Sequence, residues 1–260
     1  MQILLLKNRN FWFLLLFFGF LSQVQAQFEI PDSRKSLAFS ASFGRYAARD
    51  NYYSPLSYSG WIFGGGLGYE NQTAEKYGRS EIGFFSGGLR NNAPYAGSMS
   101  FSNFSYNEIN SFRNGSREGG AKFIGFAIKM NLSNRNNERN TSFDILTTLG
   151  LVFNNVLYPD DSDSWQYEMY FHVPLIGWGV RPRYTTPTYE KPGWDFYKPR
   201  HLFLFFPKML ALDFESSGTQ TLRLGNQLRY AYELQFYRLG YMQKLKAFRH
   251  NLRFTALMNL

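Results

Sequence analysis

Three histidines, His172, His201 and His250, are the only imidazoles in the 260-residue chain, and there is no cysteine. An imidazole held by a carboxylate and facing a hydroxyl is the minimal machinery of a hydrolase. His172 shares a sequence parity with Glu168, but four extended residues separate them by about 13 Å at roughly 3.3 Å per residue. A same-strand dyad is therefore excluded. Asp144, on the strand before, is a possible cross-strand partner, and a serine would then have to lie within hydrogen-bond reach. No G-x-S-x-G elbow occurs. The enzymatic alternative is a hydrolase acting on lipid or peptide, built around His172 or His250.

Metal chemistry finds less support. The chain has no H-x-x-x-H or H-E-x-x-H pair, and the acidic run PDDSDS (Asp160, Asp161, Asp163) lacks the glycine and distal glutamate of an EF-hand loop. It reads as a solvated acidic turn. The GGGLG run at 64–68 sits inside a strand pattern with no helix after it, so it is no nucleotide loop. Its small residues make room for bulkier neighbours and permit bending. No metal and no cofactor is expected.

What remains is a set of charges on the polar parity of extended segments: Lys129, Asp144, Glu168, His172, Arg223, Arg229, Glu233 and Arg253. Alternate residues of a strand face opposite ways. In residues 251–260, Leu252, Phe254, Ala256, Met258 and Leu260 form an oily row against a mostly polar one of Asn251, Arg253, Thr255, Leu257 and Asn259. The same alternation marks 36–46, 61–70, 124–132, 143–154 and 166–173, and runs longest over 222–236. Residues 81–89 fit either parity, and 99–108 form a polar fourth strand. Turns are expected at 50–59, 71–79, 110–120, 134–140, 155–164 and 241–249. Prolines 182, 187, 192 and 199 interrupt an aromatic loop containing Trp178, Trp194, Phe196 and Tyr197, with a short strand at 175–180. Residues 202–214 are apolar on both parities, which fits a strand packed inward or a soluble core strand. Trp61 and the loop aromatics suit a membrane interface.

The first 26 residues have the three-part build of a secretory signal: Lys7 and Arg9, an apolar stretch at 11–21, and Val24-Gln25-Ala26 before the expected cleavage. The mature domain is then 27–260. Aromatic residues make up 19% of the chain, with 27 Phe and 18 Tyr, which favours strands over a cytosolic enzyme. Mean hydropathy is nevertheless slightly negative, as expected when every second strand residue is polar. The net charge of +9 contains no compact basic domain, so nucleic acid is not an expected partner. These features predict an all-β, antiparallel, up-and-down transmembrane barrel of about 10 strands, with 8 or 12 as alternatives. Closure requires 36–46 to pair with 251–260, because an open edge in hydrocarbon is not viable.

The signal, the alternating strands and the terminal LRFTALMNL together resemble bacterial outer-membrane β-barrel proteins, and the Asn-, Tyr- and Phe-rich style is similar to small barrels of the Bacteroidetes. The resemblance implies outer-membrane localisation, contact with outer-membrane lipids, and insertion by the barrel-assembly machinery, although the last residue is Leu260 where that assembly signal usually ends on an aromatic. It implies a structural, interaction or narrow, porin-like pore role and carries no catalytic residue. Arg–Glu ladders filling the centre would favour this non-enzymatic reading; a Ser/His/acid cluster at one rim would favour the hydrolase.

Overall fold

The computed structural model describes residues 33–50, 56–91, 97–117, 120–136, 141–158, 165–182, 199–205, 208–222, 225–240 and 245–260. They form one antiparallel sheet: β1 (Ser33–Asp50), β2 (Ser57–Thr73), β3 (Lys76–Arg90), β4 (Ser98–Arg117), β5 (Gly120–Asn136), β6 (Thr141–Leu157), β7 (Trp165–Pro182), β8 (Pro199–Phe205), β9 (Met209–Thr221), β10 (Gln227–Leu239) and β11 (Leu245–Asn259). Neighbours in sequence pair in turn, and β1 pairs with β11 from Ser36↔Asn259 to Asp50↔Leu245, which closes the sheet. β8 and β9 share one position, pairing with the two halves of β7. The ring is a barrel of ten strand positions. The signal segment expected over 1–26 lies outside the described residues.

Following paired residues once round the barrel starts at Arg34, passes Gln72, Tyr77, Ser111, Gly125, Val152, His172, Asp213, Gln235 and Arg249, and returns to β1 at Tyr46. The return lies twelve residues along the strand from the start. Such a stagger means the strands tilt steeply against the barrel axis, the geometry that closure demands. With 13 to 20 residues in each full strand, the wall exceeds the roughly 9–11 residues that cross a bilayer.

The alternation distributes side chains inside out relative to a soluble sandwich. Phe63 and Leu67 on the wall are 63% and 60% exposed, whereas Glu168 and His172 within are 2% and 0% exposed. Leu252, Phe254 and Met258 lie on the outer surface, not between stacked sheets. β3, ambiguous in sequence, turns Ile82 and Phe84 outward and Tyr77, Arg79 and Phe85 inward.

Several expected boundaries move. The turn at 71–79 shrinks, since β2 reaches Thr73 and β3 begins at Lys76. Most of the turn at 110–120 is strand: β4 continues to Arg117 with a register shift between Arg113 and Ser116. Asn, Ser and Gly there mimic turn chemistry, but ladder bonds on both sides hold them extended. The short strand at 175–180 is the second half of β7, which passes through Pro174 without ending. Leu149 pairs with Ile176 and Gly150 with Pro174, so Leu175 is an extra, bulged residue. On its other edge β7 changes partner between His172↔Asp213 and Ile176↔Phe205, so the missing proline donor falls at a break in the ladder.

The long strand expected over 222–236 is the turn between β9 and β10 followed by most of β10. Leu222 and Asn226 close the turn with a 2.7 Å backbone bond, and Gly225 supplies φ = 79°. Alternation ran through the turn by coincidence of parity. The two-sided apolar stretch at 202–214 is likewise two strands. Leu204 and Met209 turn inward and pack with Leu239 and Leu245, so this end of the lumen is filled with hydrocarbon. A second inward apolar group (Tyr46, Ile62, Leu89, Phe101) lies near the end of β1, here termed the upper rim, and a third (Tyr77, Phe123, Val152, Val156) nearer the lower one.

Small inward residues permit this filling. A Cβ on Gly64 would lie 2.6 Å from the Phe85 ring, so the glycine run makes room for bulk on the next strand. At Gly44, on the seam between β1 and β11, a Cβ would lie 2.0 Å from the His250 carbonyl oxygen. That atom is backbone and cannot swing aside, so Gly44→Ala is expected to lower unfolding stability in lipid vesicles by about 1–3 kcal/mol. The shift of the urea midpoint checks it; an unchanged midpoint would refute the close approach.

Candidate functional site

Inward charge is concentrated in three networks that span the lumen. At the upper end Asp50 (β1), Arg135 (β5), Asp144 (β6) and Arg181 (β7) form a four-membered cluster. Arg135 Nη1 donates to Asp50 Oδ2 at 2.9 Å and Arg181 Nε to Asp144 Oδ1 at 2.7 Å. The crossed pairs, Arg135 with Asp144 and Arg181 with Asp50, complete the cycle. All four side chains are buried. Because Asp50 reaches across to strands on the opposite wall, the cluster obstructs the passage.

In the middle, Arg253 on β11 gathers three carboxylates: Glu81 at 2.8 Å, Glu215 at 2.9 Å and Glu233 at 3.0 Å. Arg79 on β3 meets Glu81 at 2.7 Å and Glu215 at 3.1 Å. Arg79 thus reaches across the barrel to a carboxylate of β9, which Arg253, two strand positions from β9, holds as well. Beside them Asp213 receives both Lys129 Nζ and His172 Nδ1 at 2.8 Å. Nearer the lower rim Arg229 holds Glu70 through both terminal nitrogens, at 2.5 and 2.8 Å, and lies 3.9 Å from Glu168, which accepts from Asn154 at 2.7 Å.

Charges withdrawn from water persist only when paired and hydrogen-bonded. Arginine suits this task because its planar fork can serve two carboxylates at once. A cavity of about 80 Å³, lined by Ser42, Arg79, Glu81, Lys129, Asp213 and Arg253 among others, remains between the middle network and the wall. It is large enough for a few waters, each with a liquid share of about 30 Å³, and is bordered by the ion pairs themselves.

Of the residues singled out from sequence, Lys129, Asp144, Glu168, His172, Arg229, Glu233 and Arg253 all turn inward. Arg223 lies outside the described residues. Trp61 stands on the outer wall with the Arg45 guanidinium 5.7 Å from its ring centre, and Trp178 stacks on His201 at 5.7 Å. Trp194, Phe196 and Tyr197, like the acidic run at 159–164, fall outside the described residues. Sequence reading missed Asp50, Glu70, Arg79, Glu81, Arg135, Arg181, Asp213 and Glu215. Several fall in segments with turn composition; extending the parity of the neighbouring strand by a few residues recovers Asp50 and Arg135, whereas Arg79 adjoins 81–89, whose parity is ambiguous.

The partner suggested for His172 is corrected: Asp144 is engaged by two arginines, and Asp213 takes the imidazole instead. Nε2 of His172, the atom that would activate a nucleophile, has no hydrogen-bond partner among the described residues. It faces Gly150, where a Cβ would lie 2.6 Å away. His250 sits on the outer wall against Tyr232 and Phe248. Neither histidine meets a serine hydroxyl among the described residues. No group of three His, Cys, Asp or Glu side chains arranged for a metal is present among the described residues.

No family model matches the chain, and no curated protein matches it. Solved structures of outer-membrane barrels resemble it in fold. The β domain of the Bordetella autotransporter BrkA has 8% identity, with 86% of this chain and 99% of that one covered and a TM-score of 0.40. The translocator domain of the autotransporter NalP from Neisseria meningitidis has 7% identity, 89% and 90% coverage and a TM-score of 0.38. A deletion mutant of the monoaromatic hydrocarbon channel TodX has 6% identity, 89% and 91% coverage and a TM-score of 0.37. No activity or cargo is transferred from them.

Proposed function

We propose that this chain is a non-enzymatic outer-membrane β-barrel whose lumen is closed to solutes and which acts through its wall and loops, in a structural or interaction role. The observation that carries the reading is the lumen, filled by arginine–carboxylate networks whose members come from opposite walls. An aqueous pore would keep its charges hydrated and unlinked across the gap. The exposed apolar wall supports contact with lipid tails, because an exposed surface of this extent is not tolerated in water. Residues 1–26 supply the export signal in this reading, 27–260 the single barrel domain, and outer-membrane lipids and the barrel-assembly machinery are its partners. The compositional likeness to small Bacteroidetes barrels belongs to the same proposal.

Planar-bilayer recording tests it. Wild-type protein, first shown to be folded by heat-modifiable migration, is expected to give no conductance steps. Removing both poles of the middle network with Arg79→Ala and Glu215→Ala is expected to produce small, frequent ones. Stable wild-type openings would replace the closed reading with a narrow pore.

A further inference from the structure

Among the described residues every carboxylate carried by a strand turns into the lumen except one. Glu108 on β4 faces outward, on the same side as Phe104 and Phe112, which are 40% and 49% exposed. Its depth follows from the register. On β5 the outward row runs Ile124, Phe126, Ile128, Met130, Leu132 between Lys122 and Asn134, and Glu108 is paired with Ile128, the middle of that apolar row. The carboxylate therefore lies near the centre of the belt that the proposed function assigns to lipid tails, and this inference rests on that assignment.

Glu108 is not an isolated accident of sequence. Tyr106 Oη donates to its Oε2 at 2.8 Å and Asn110 Nδ2 to its Oε1 at 3.3 Å, so three successive outward positions of β4 form one polar strip. No cation pairs with it among the described residues. The facing positions on β3 are Ser80 and Gly78, which leave the wall beside the strip low and flat. An ionisable group at mid-bilayer is costly unless it meets protein, and small residues let two walls approach closely.

We infer that the β3–β4 face is a lateral interface with a second copy of this chain, centred on Glu108. Copies inserted in the same direction and related by a two-fold axis normal to the membrane keep each group at its own depth. Glu108 then meets Asn110 of the partner, whose carboxamide donates to it, and the contact repeats with the roles exchanged, so the strip complements itself. The outward cations of the described wall cannot serve: they cluster towards the lower edge of the belt, as Lys35, Lys76 and Lys122 do, or towards the upper, as Arg45, Arg90 and Lys246 do. None shares the depth of Glu108.

The absence of cysteine makes the test direct. Ser80→Cys places a thiol beside Glu108, and Ser216→Cys places one on the outward side of β9, across the ring. After insertion into phosphatidylcholine vesicles and mild oxidation, S80C is expected to form a disulfide-linked dimer and S216C to remain monomeric. Adding E108L to S80C should cut the dimer yield at least five-fold, whereas E108Q, which keeps both donor and acceptor, should retain it. A folded, inserted S80C that stays monomeric overturns the interface and leaves the membrane reading standing, as do equal yields from the two cysteines or an undiminished yield with E108L. Failure of heat-modifiable protein to insert at all would overturn both.

Discussion

Arg253→Leu is expected to destabilise the folded barrel by about 3–5 kcal/mol, the usual cost of removing one member of a buried ion pair and stranding the rest. Here the loss is shared by three carboxylates. Glu81, Glu215 and Glu233 lie within 3.0 Å of the same guanidinium, and only the first two also reach Arg79. Glu233 would retain a hydrogen bond from Asn251 at 3.0 Å but no cation among the described residues. Urea unfolding in lipid vesicles reads the effect, and Arg253→Lys should fall between wild type and leucine because an ammonium cannot fork to several acceptors. A leucine variant as stable as wild type would mean that the middle network is hydrated instead of desolvated, and the closed lumen would lose its main support.

The adjacent residue carries the opposite demand. Phe254 faces outward, 46% exposed, stacked 6.4 Å from Phe43 on β1 and edge-on to Tyr230 on β10. Phe254→Arg is expected to cost about 2–4 kcal/mol if this row lies near the bilayer midplane. In a water-facing wall the same change would be nearly neutral, or mildly favourable. The two substitutions, one residue apart, therefore test the two surfaces separately: a charge is required at 253 and excluded at 254. Equal tolerance of arginine at 254 in vesicles and in mild detergent would argue against burial of this row in hydrocarbon.

How much of this was legible in the chain depends on what each segment's side chains have to do. Residues 251–260 and 36–46 alternate cleanly because both faces are demanding, an exposed apolar wall on one and charge on the other, and the need for closure dictates their pairing. β3 and β4 were harder. Glycine and serine on both parities of 78–88, and polar residues on both sides of 98–111, erase the two-residue period that a sequence reading relies on. The inward hydrocarbon of Leu204 and Met209 misled in the other direction, since a membrane barrel is expected to be polar within. The composition of the charge networks was legible only in part. Parity shows which way Arg253 or Glu168 points, but the choice of Asp213 over Asp144 for His172 depends on which strands lie side by side, a property of the whole ring.

The seam between β1 and β11 also sets the order of events in time. It joins residues about two hundred positions apart, Ser36 with Asn259 and Asp50 with Leu245, and contacts so distant in sequence form late because the intervening chain must first be brought together. Until the seam forms, the growing sheet has two bare margins of amide and carbonyl groups, each able to recruit a stray strand. The chain therefore has to be kept apart from its neighbours until its final segment is available, and a version lacking β11 would be left with both margins permanently unsatisfied.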